Sequence, residues 1–333
     1  MEASLVKPMV AAIDSDITWK NRFDHFLARW SWKRNQHLVE PGLYALGRPE
    51  KESPVFVTAN YTLSFDALRS ALKGIDCYIL VINTYGINVW CAAGKGTFGT
   101  DELVNRIAVT GLANVVSHKK LILPQLGAPG VNAFEVTKRS GFKVEYGPVR
   151  AADIKDYLQA GSKATPEMRR VKFPVADRVV LIPVELVASV IPAILITIAG
   201  FLTGGLVSAL AAVTAVLAGV VLFPVLLPYL PTKDYSSKGL FLGLILALPF
   251  AGYTYLSNPQ VTVWTALWML TFPLIMPPIT AYLSLNFTGA TPFPSRTGVR
   301  KEIYRYIPIM AIMAGLGTVI QLAVAALNFL KVI

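Results

Sequence analysis

The sequence Asn88-Val89-Trp90-Cys91-Ala92-Ala93-Gly94-Lys95 continues as Gly96-Thr97-Phe98-Gly99-Thr100 and follows a short apolar run. The apolar run, residues 78–82, predicts a buried parallel strand. Residues 101–113 have apolar side chains at helical spacing, so a helix is expected after the motif. Cys91 therefore lies just past a strand and near a helix start, where open α/β sheets bind their ligands. A thiol at a helix N-terminus ionises more readily than an ordinary one.

Three other interpretations of this stretch exist. Residues 94–99 match the dinucleotide pattern G-x-G-x-x-G, but residues 114–120 contain no acidic residue to bind a ribose. Val89 stands where a phosphate-binding P-loop has its first glycine, so that motif is not indicated. A cysteine among small residues is, without other evidence, more often a packed core thiol.

A family resemblance favours a ligand-binding role for Cys91. The stretch 88–100 resembles the cap-helix motif of the corrinoid protein of the mercury-methylating pair. The likeness continues in three further segments: Val57-Thr58-Ala59-Asn60-Tyr61, Leu123-Pro124-Gln125-Leu126-Gly127-Ala128-Pro129-Gly130-Val131 and Tyr146-Gly147-Pro148-Val149-Arg150. More distantly, the region is similar to the corrinoid domain of the corrinoid iron–sulfur protein of the acetyl-CoA pathway.

The resemblance implies a site for cobalamin or a related corrinoid. In the family resembled, the cysteine lies on the lower axial side of cobalt, so Cys91 is the expected catalytic residue and cobalt ligand. A thiolate is a soft donor suited to such a metal. The expected cofactor-binding residues lie in the motif and in the loops after the strands: Thr58, Asn60, Thr84, Asn88, Val89, Trp90, Cys91, Ala92, Ala93, Gly94, Lys95, Gly127, Pro129, Gly147 and Pro148.

Histidine is the lower ligand in many other corrinoid proteins, where it belongs to a D-x-H-x-x-G motif. His25, His37 and His118 do not fit that motif. Around His118, Val116 stands in place of the aspartate and Leu121 in place of the glycine.

The implied activity is corrinoid-dependent transfer of a methyl group from cobalt to Hg(II), which forms methylmercury. Donation from sulfur would favour delivery of the methyl group to an electrophile, either as a carbanion or as a radical equivalent. The implied partners are a ferredoxin-like protein with two [4Fe–4S] clusters as reductant and a methyl donor linked to methyl-tetrahydrofolate; no nucleic-acid partner is expected. Two alternatives are a membrane corrinoid methyltransferase for another acceptor and a transporter with a regulatory α/β domain.

Charge and cysteine content divide the chain and limit its own metal chemistry. Residues 1–178 hold 24 Lys and Arg and 17 Asp and Glu, whereas residues 179–333 hold 7 and 3. Two cysteines, Cys77 and Cys91, are too few for a disulfide scaffold, a zinc site or an iron–sulfur cluster. Cys77, at a strand start, is expected to be an inert core residue. No cleaved signal peptide is expected at the N-terminus.

We expect an α/β Rossmann-like corrinoid-binding domain followed by an all-α transmembrane domain. The expected segments are an N-terminal segment of unknown role (1–50), the corrinoid domain with its cap helix (51–163), a basic linker (164–178) and a transmembrane domain (179–333). Alternating strands and helices predict a parallel sheet whose strand-end loops converge on one edge. The predicted strands are 55–58, 78–82, 120–123 and 142–146, and the predicted helices are 64–72, 101–113, 133–140 and 151–158. In the N-terminal segment, Phe23, Phe26, Leu27 and Trp30 predict a helix face packed on this domain.

Five apolar stretches of roughly 20 residues each predict membrane-spanning helices. They are about 179–201, 206–230, 239–257, 261–285 and 306–330. Basic residues flank one side of these spans, and only Lys331 lies on the other: Arg169, Arg170, Lys172, Arg178, Lys233, Lys238, Arg296, Arg300, Lys301 and Arg305. The positive-inside rule therefore predicts a multi-pass protein of the inner (cytoplasmic) membrane, with the corrinoid domain in the cytoplasm and the C-terminus outside.

Two features of the membrane part stand apart. Glu185 is the only acidic residue within a predicted span, and it either has a function or reaches the interface. Residues 286–302 predict a long cytoplasmic loop, which is similar to a segment of the corrinoid iron–sulfur family or else anchors the chain to anionic membrane lipid.

Overall fold

The computed structural model describes residues 10–258 and 260–331. The chain divides into two compact units, Met1–Lys172 and Phe173–Ile333. The division falls inside the predicted basic linker. The first unit contains an α/β sheet, and the second is entirely helical in its described residues.

Six strands form one sheet in the order β1-β2-β4-β3-β5-β6. Their bounds are β1 Val10–Ile13, β2 Gly42–Leu46, β3 Val55–Ala59, β4 Cys77–Ile82, β5 Lys120–Leu123 and β6 Lys143–Tyr146. Strands β3, β4, β5 and β6 run parallel to one another, as predicted. Strand β2 is antiparallel to β4, so the sheet is mixed rather than wholly parallel.

Helices cover both faces of the sheet. Their bounds are α1 Trp19–Trp30, α2 Thr62–Ala71, α3 Val89–Lys95, α4 Thr100–Val109, α5 Leu112–Val115, α6 Ala133–Ser140, α7 Ile154–Gln159 and α8 Pro166–Arg169. Alternate residues of β4 point to opposite faces, since Leu80 packs in one core cluster and Ile79 in the other. Burial on both faces explains why β3 and β4 read as continuous apolar runs.

The N-terminal segment is part of the sheet unit. Its described residues supply β1 and β2, which extend the sheet on one side. Both strands are short, and neither is an uninterrupted run of large apolar residues. The prediction of a separate segment 1–50 therefore overlooked two strands whose apolar signal is weak.

Helix α1 forms where the sequence predicted it, but the packing of its aromatic face was predicted wrongly. Trp19, Phe23, Phe26 and Trp30 are all exposed. The opposite side of the helix packs inward, where Ala28 is fully buried. Polar contacts to the rest of the unit, described below, fix this orientation.

Among its described residues, the second unit contains four helices long and apolar enough to cross a membrane: Val175–Leu226, Tyr235–Ser257, Val263–Ala290 and Arg296–Phe329. Its helical segments are α9 Val175–Val179, α10 Ile182–Leu217, α11 Phe223–Leu226, α12 Tyr235–Ser257, α13 Val263–Asn286 and α14 Arg296–Phe329. A π-helical segment, Ala218–Leu222, joins α10 to α11. Glu185 lies in the first turn of α10.

The first of these stretches is 52 residues long and broken. Gly204 and Gly205 have non-helical backbone angles inside α10, and Gly205 has φ 63° and ψ −156°. The first two predicted spans, 179–201 and 206–230, meet at this break. The structure thus has four apolar stretches where five separate spans were predicted, because the two glycines interrupt a helix without adding a connecting loop.

The loop predicted over residues 286–302 is mostly helical. A 3₁₀ segment, Phe287–Ala290, directly continues α13, and α14 begins at Arg296 with Ser295 as its N-cap. Only residues 291–295 are irregular. The Ser295 hydroxyl caps α14 by accepting the backbone N–H of Gly298 at 3.0 Å.

Candidate functional site

The carboxyl ends of β3, β4, β5 and β6 lie at one edge of the sheet. After β3 the chain passes to β4 on one side, and later to β5 on the other side of β3. Such a reversal of strand order leaves a crevice outside the strand ends, where open α/β sheets bind ligands. The sequence predicted a site at this edge.

A cleft of about 310 Å³ lies at this position. Its walls come from the ends of β3 and β5, the start of α3, and the loop after β6. The lining residues are Phe56, Val57, Thr58, Ser64, Ala67, Leu68, Asn88, Val89, Trp90, Ile122, Leu123, Pro124, Leu126, Gly147, Pro148, Val149, Ala151 and Ile154. This volume is at the lower end of the range for small-molecule sites, and the walls are mostly apolar, as is usual for such sites.

Helix α3 carries the cysteine motif along the border of the cleft. Its N-cap is Asn88, whose side-chain oxygen accepts the backbone N–H of Cys91 at 2.9 Å. Val89 and Ala92 are buried in the core, whereas Trp90 and Cys91 are half-buried. The helix is therefore anchored on one side and presents Trp90 to the cleft.

The turn between β4 and α3 is held by a buried asparagine. The Asn60 side-chain oxygen accepts the backbone N–H groups of Thr84 at 2.9 Å and of Gly86 at 3.2 Å. The Thr84 hydroxyl lies 2.7 Å from the carbonyl oxygen of Ile87 and donates to it. Asn60 and Thr84 are both buried, so these bonds are shielded from water. They fix the path by which the chain enters α3.

Glu102 supports the same turn from α4. Its carboxylate accepts the backbone N–H of Asn83 at 2.8 Å and forms an ion pair with Arg106 at 2.7 Å. No sequence pattern indicated this role. An i,i+4 pair of opposite charges on a helix is ordinarily read as surface stabilisation.

The fifteen predicted site residues fall into five groups. Six line the cleft: Thr58, Asn88, Val89, Trp90, Gly147 and Pro148. Asn60 and Thr84 form the buried turn network. Ala92, Ala93 and Gly127 pack in the interior, while Gly94, Lys95 and Pro129 are exposed. Cys91 itself is half-buried on the helix that borders the cleft. The structure thus brings six of the fifteen residues to the cleft and places Cys91 on the helix beside it.

Several lining residues were missed because they come from other elements. Phe56 and Ile122 lie on β3 and β5, whereas Ala151 begins the 3₁₀ turn that leads into α7 and Ile154 is the first residue of α7. Their apolar character marked them as core residues. Only the strand order, which the sequence does not specify, shows that they meet at the site.

The two cysteines lie in different environments. Cys77 is fully buried, and burial, reinforced by the nearby Asp76 carboxylate, raises the pKa of its thiol to about 12. Cys77 therefore stays protonated and inert at neutral pH. Cys91 is the accessible thiol of the pair.

The histidines are engaged away from the cleft. His25 contacts Asp66 at 2.7 Å, His37 contacts Asp24 at 2.6 Å, and His118 lies 2.8 Å from the carbonyl oxygen of Ser53. Within residues 10–258 and 260–331 there is no group of three or more His, Cys, Asp or Glu side chains arranged to hold a metal ion.

Comparison with known proteins points to the same unit. Residues 33–158 match the family described as CO dehydrogenase/acetyl-CoA synthase delta subunit. The likeness is confined to the sheet unit.

Individual relatives are gamma subunits of the acetyl-CoA decarbonylase/synthase complex. The Archaeoglobus fulgidus protein is 35% identical over 123 residues, which is 36% of this chain and 26% of that protein. The Methanopyrus kandleri protein is 32% identical over 128 residues, which is 38% of this chain and 27% of that protein. The chain thus spans about a quarter of the length of these relatives. These matches support the predicted distant relation to the corrinoid iron–sulfur protein of the acetyl-CoA pathway.

Proposed function

We propose that this protein is a corrinoid-dependent methyltransferase that transfers a methyl group to Hg(II) and forms methylmercury. The observation that carries the proposal is the cleft at the point where the strand order reverses, bordered by the short helix that bears Trp90 and Cys91. The matches to acetyl-CoA decarbonylase/synthase subunits support corrinoid-dependent methyl transfer in general. The choice of mercury as acceptor is supported by the motif of residues 88–100.

The residues at the cleft fit a corrinoid in two respects. First, the loop after β6 brings Gly147 to the cleft wall, where backbone without a side chain lets a flat ligand approach closely. Second, the accessible donor beside the cleft is a soft thiol, whereas no described residue lining the cleft is a histidine. A thiolate is a suitable ligand for a soft metal centre.

The residues of this chain would divide the work as follows. Cys91 would ligate the metal, while Asn88 and the buried Asn60 network fix the position of the helix that carries it. The apolar walls from Val57 and Leu123 would exclude water. When bound, the corrinoid supplies a cobalt centre that carries the methyl group. The protein then contributes ligation, orientation and a dry environment.

The first prediction concerns the two cysteines. The full chain is purified under anaerobic, reducing conditions and loaded with cobalamin, and its Co(II) visible and electron paramagnetic resonance spectra are recorded. Cys91→Ala is expected to change both spectra and to abolish methylmercury formation, because the sulfur ligand is lost. Cys77→Ala is the matched control and is expected to leave the spectra unchanged, because its thiol is buried and protonated.

Three outcomes separate the possibilities. Unchanged Co(II) spectra in Cys91→Ala would contradict the ligand assignment. A loaded protein that accepts a methyl group but makes no methylmercury from Hg(II), with a low-potential reductant present, would favour a methyltransferase for another acceptor. Failure of the unmodified chain to bind cobalamin would contradict the proposed function as a whole.

A further inference from the structure

Helix α1 presents an aromatic stripe to solvent. Its members are Trp19, Phe23, Phe26 and Trp30, whose exposed fractions are 85%, 60%, 53% and 45%. Spacings of four, three and four residues place them on one side of the helix. Phe26 lies 6.5 Å from Phe23 and 6.0 Å from Trp30 between ring centroids, so these three rings form a continuous surface.

The opposite, polar side of α1 holds the helix to the sheet unit. The His25 ring contacts the buried Asp66 carboxylate at 2.7 Å, and the Asp24 carboxylate contacts the His37 ring at 2.6 Å. Arg69, also buried, pairs with the same Asp66 at 2.6 Å. Ala28 is fully buried on this side. The orientation of the helix is therefore built into the fold.

This arrangement reverses the usual one. A helix on the surface of a globular protein normally buries its apolar side and exposes its polar side. Here the aromatic side chains remain about half or more exposed, although the helix has charged side chains with which it could face water. A contiguous exposed apolar surface of this kind marks a site of interaction with a membrane or a protein.

The charges around the stripe indicate an anionic partner. Between residues 19 and 34 the basic residues are Lys20, Arg22, Arg29, Lys33 and Arg34, and the acidic residue is Asp24. Lys20, Arg22 and Lys33 are exposed, whereas the Asp24 carboxylate is paired with His37. An occupant of this surface must therefore offer apolar contact together with negative charge.

An anionic lipid bilayer meets both requirements. Tryptophan favours the headgroup region of a membrane, and amphipathic helices with aromatic and basic residues lie in that plane. By length and composition, the four apolar helices of the same chain can span a bilayer. The chain itself would then tether the sheet unit to that bilayer. We propose that α1 is an interfacial helix, with its aromatic stripe in the headgroup region of an anionic membrane and with Lys20, Arg22 and Lys33 facing the lipid phosphates.

This proposal goes beyond the proposed methyl transfer and does not depend on it. It gives the sheet unit a second attachment to the membrane besides its covalent link. Exposed basic residues near an anionic surface each add attraction that falls with ionic strength. The attachment is therefore reversible and sensitive to lipid composition.

The second prediction tests this attachment in the full chain. A nitroxide label is placed at Phe26→Cys in the Cys91→Ala background, where the buried Cys77 stays unlabelled. The protein is reconstituted in nanodiscs of phosphatidylcholine with phosphatidylglycerol. Collisions of the label with oxygen, which concentrates in the bilayer, are expected to exceed those with a water-soluble nickel chelate. Adding the double substitution Lys20→Glu and Arg22→Glu is expected to lower the ratio of oxygen collisions to nickel-chelate collisions. The reason is that it reverses the charge beside the stripe.

The matched control is Phe134→Cys, an exposed aromatic position on α6. Its label is expected to collide more often with the nickel chelate than with oxygen. Two results at position 26 would overturn the proposal: a label as open to the nickel chelate as the one at position 134, or a label shielded from both reagents, which would mean that protein covers the stripe. Neither result would bear on the cobalamin experiment.

Discussion

A single buried side chain organises the entrance to the cysteine helix. Asn60 accepts backbone N–H groups on either side of Tyr85, and its own amide lies 3.4 Å from the Asn83 side-chain oxygen. Tyr85 and Gly86 both have positive φ angles, 56° and 70°. A non-glycine residue seldom adopts this conformation unless its surroundings impose it. The buried asparagine supplies that constraint, so it influences the position of Cys91 without contacting it.

The third prediction follows from this network. Asn60→Ala leaves the buried N–H groups of Thr84 and Gly86 without their acceptor, and each such loss costs about 1–3 kcal/mol. We expect the free energy of unfolding of the sheet unit to fall by about 2–4 kcal/mol. Pulse proteolysis of the full chain in urea measures it.

The control for this variant is Asn132→Ala. The Asn132 side chain also accepts two backbone N–H groups, from Phe134 at 3.1 Å and Glu135 at 3.2 Å, but it is an exposed helix cap. Water can replace its contacts, so a loss of about 1 kcal/mol is expected. Equal losses in the two variants would show that burial of the Asn60 network contributes nothing.

At the level of single residues, the sequence predicted the parts of the site that lie in one segment. Trp90 and Cys91 share a motif, and Gly147 with Pro148 directly follows a strand, so both positions were accessible to sequence reasoning. Glu102 and Ile122 were not. Their contributions depend on which strands are neighbours, and that order is fixed by packing of the whole sheet rather than by local pattern.

At the level of elements, predictability followed the strength of the apolar pattern. The central strands β3 and β4 are buried on both faces, and their continuous apolar runs identified them. Strand β1 and strand β2 pack less completely and were missed. Helix α1 was found, but its apolar side was assigned to the interior. Burial of the apolar side is the normal arrangement for a helix on the surface of a globular protein. It does not hold for α1, whose aromatic side chains are exposed.

The break inside α10 depends directly on the identity of two residues, Gly204 and Gly205. Gly205 has a positive φ with ψ near −156°, a backbone conformation that is essentially restricted to glycine. A Cβ atom on the neighbouring Gly204 would clash with Ser208 and Trp268. The glycine pair is therefore required for the chain to depart from helical geometry at this point.

The fourth prediction concerns this glycine pair. Gly205→Ala is expected to destabilise the helical unit by about 1–3 kcal/mol, because alanine is strained at this φ and ψ. The measurement is thermal unfolding of the full chain in detergent, followed by circular dichroism. Gly252→Ala is the matched control: it lies within α12 with open space around its added methyl group, so its melting temperature is expected to be unchanged or raised. A Gly205→Ala variant as stable as Gly252→Ala would contradict a structural need for the break.

At the level of the whole molecule, the charges follow the division into two units. The helical unit has few charged residues, and apart from Arg178 and Lys331 its basic ones cluster around the start of α12 and at the start of α14. The segment between α12 and α13 has no basic residue among its described positions, and neither does the break at Gly204 and Gly205. This alternation is what the positive-inside rule requires if the broken stretch Val175–Leu226 crosses the membrane twice.

The fifth prediction tests this crossing pattern. Fusions of alkaline phosphatase and of a fluorescent protein, which are active on opposite sides of the inner membrane, are made after Lys163, Lys238, Asn258 and the C-terminus. We expect these sites to be inside, inside, outside and outside, because the basic residues Lys233 and Lys238 would then stay in the cytoplasm with the sheet unit. The paired reporters control for each other, since a true location activates one and silences the other.

If the 52-residue stretch crossed only once, the pattern would instead be inside, outside, inside and inside. That result would place Lys233 and Lys238 outside, against the positive-inside rule, and would make the Gly204–Gly205 break a kink within a single span rather than the turn between two.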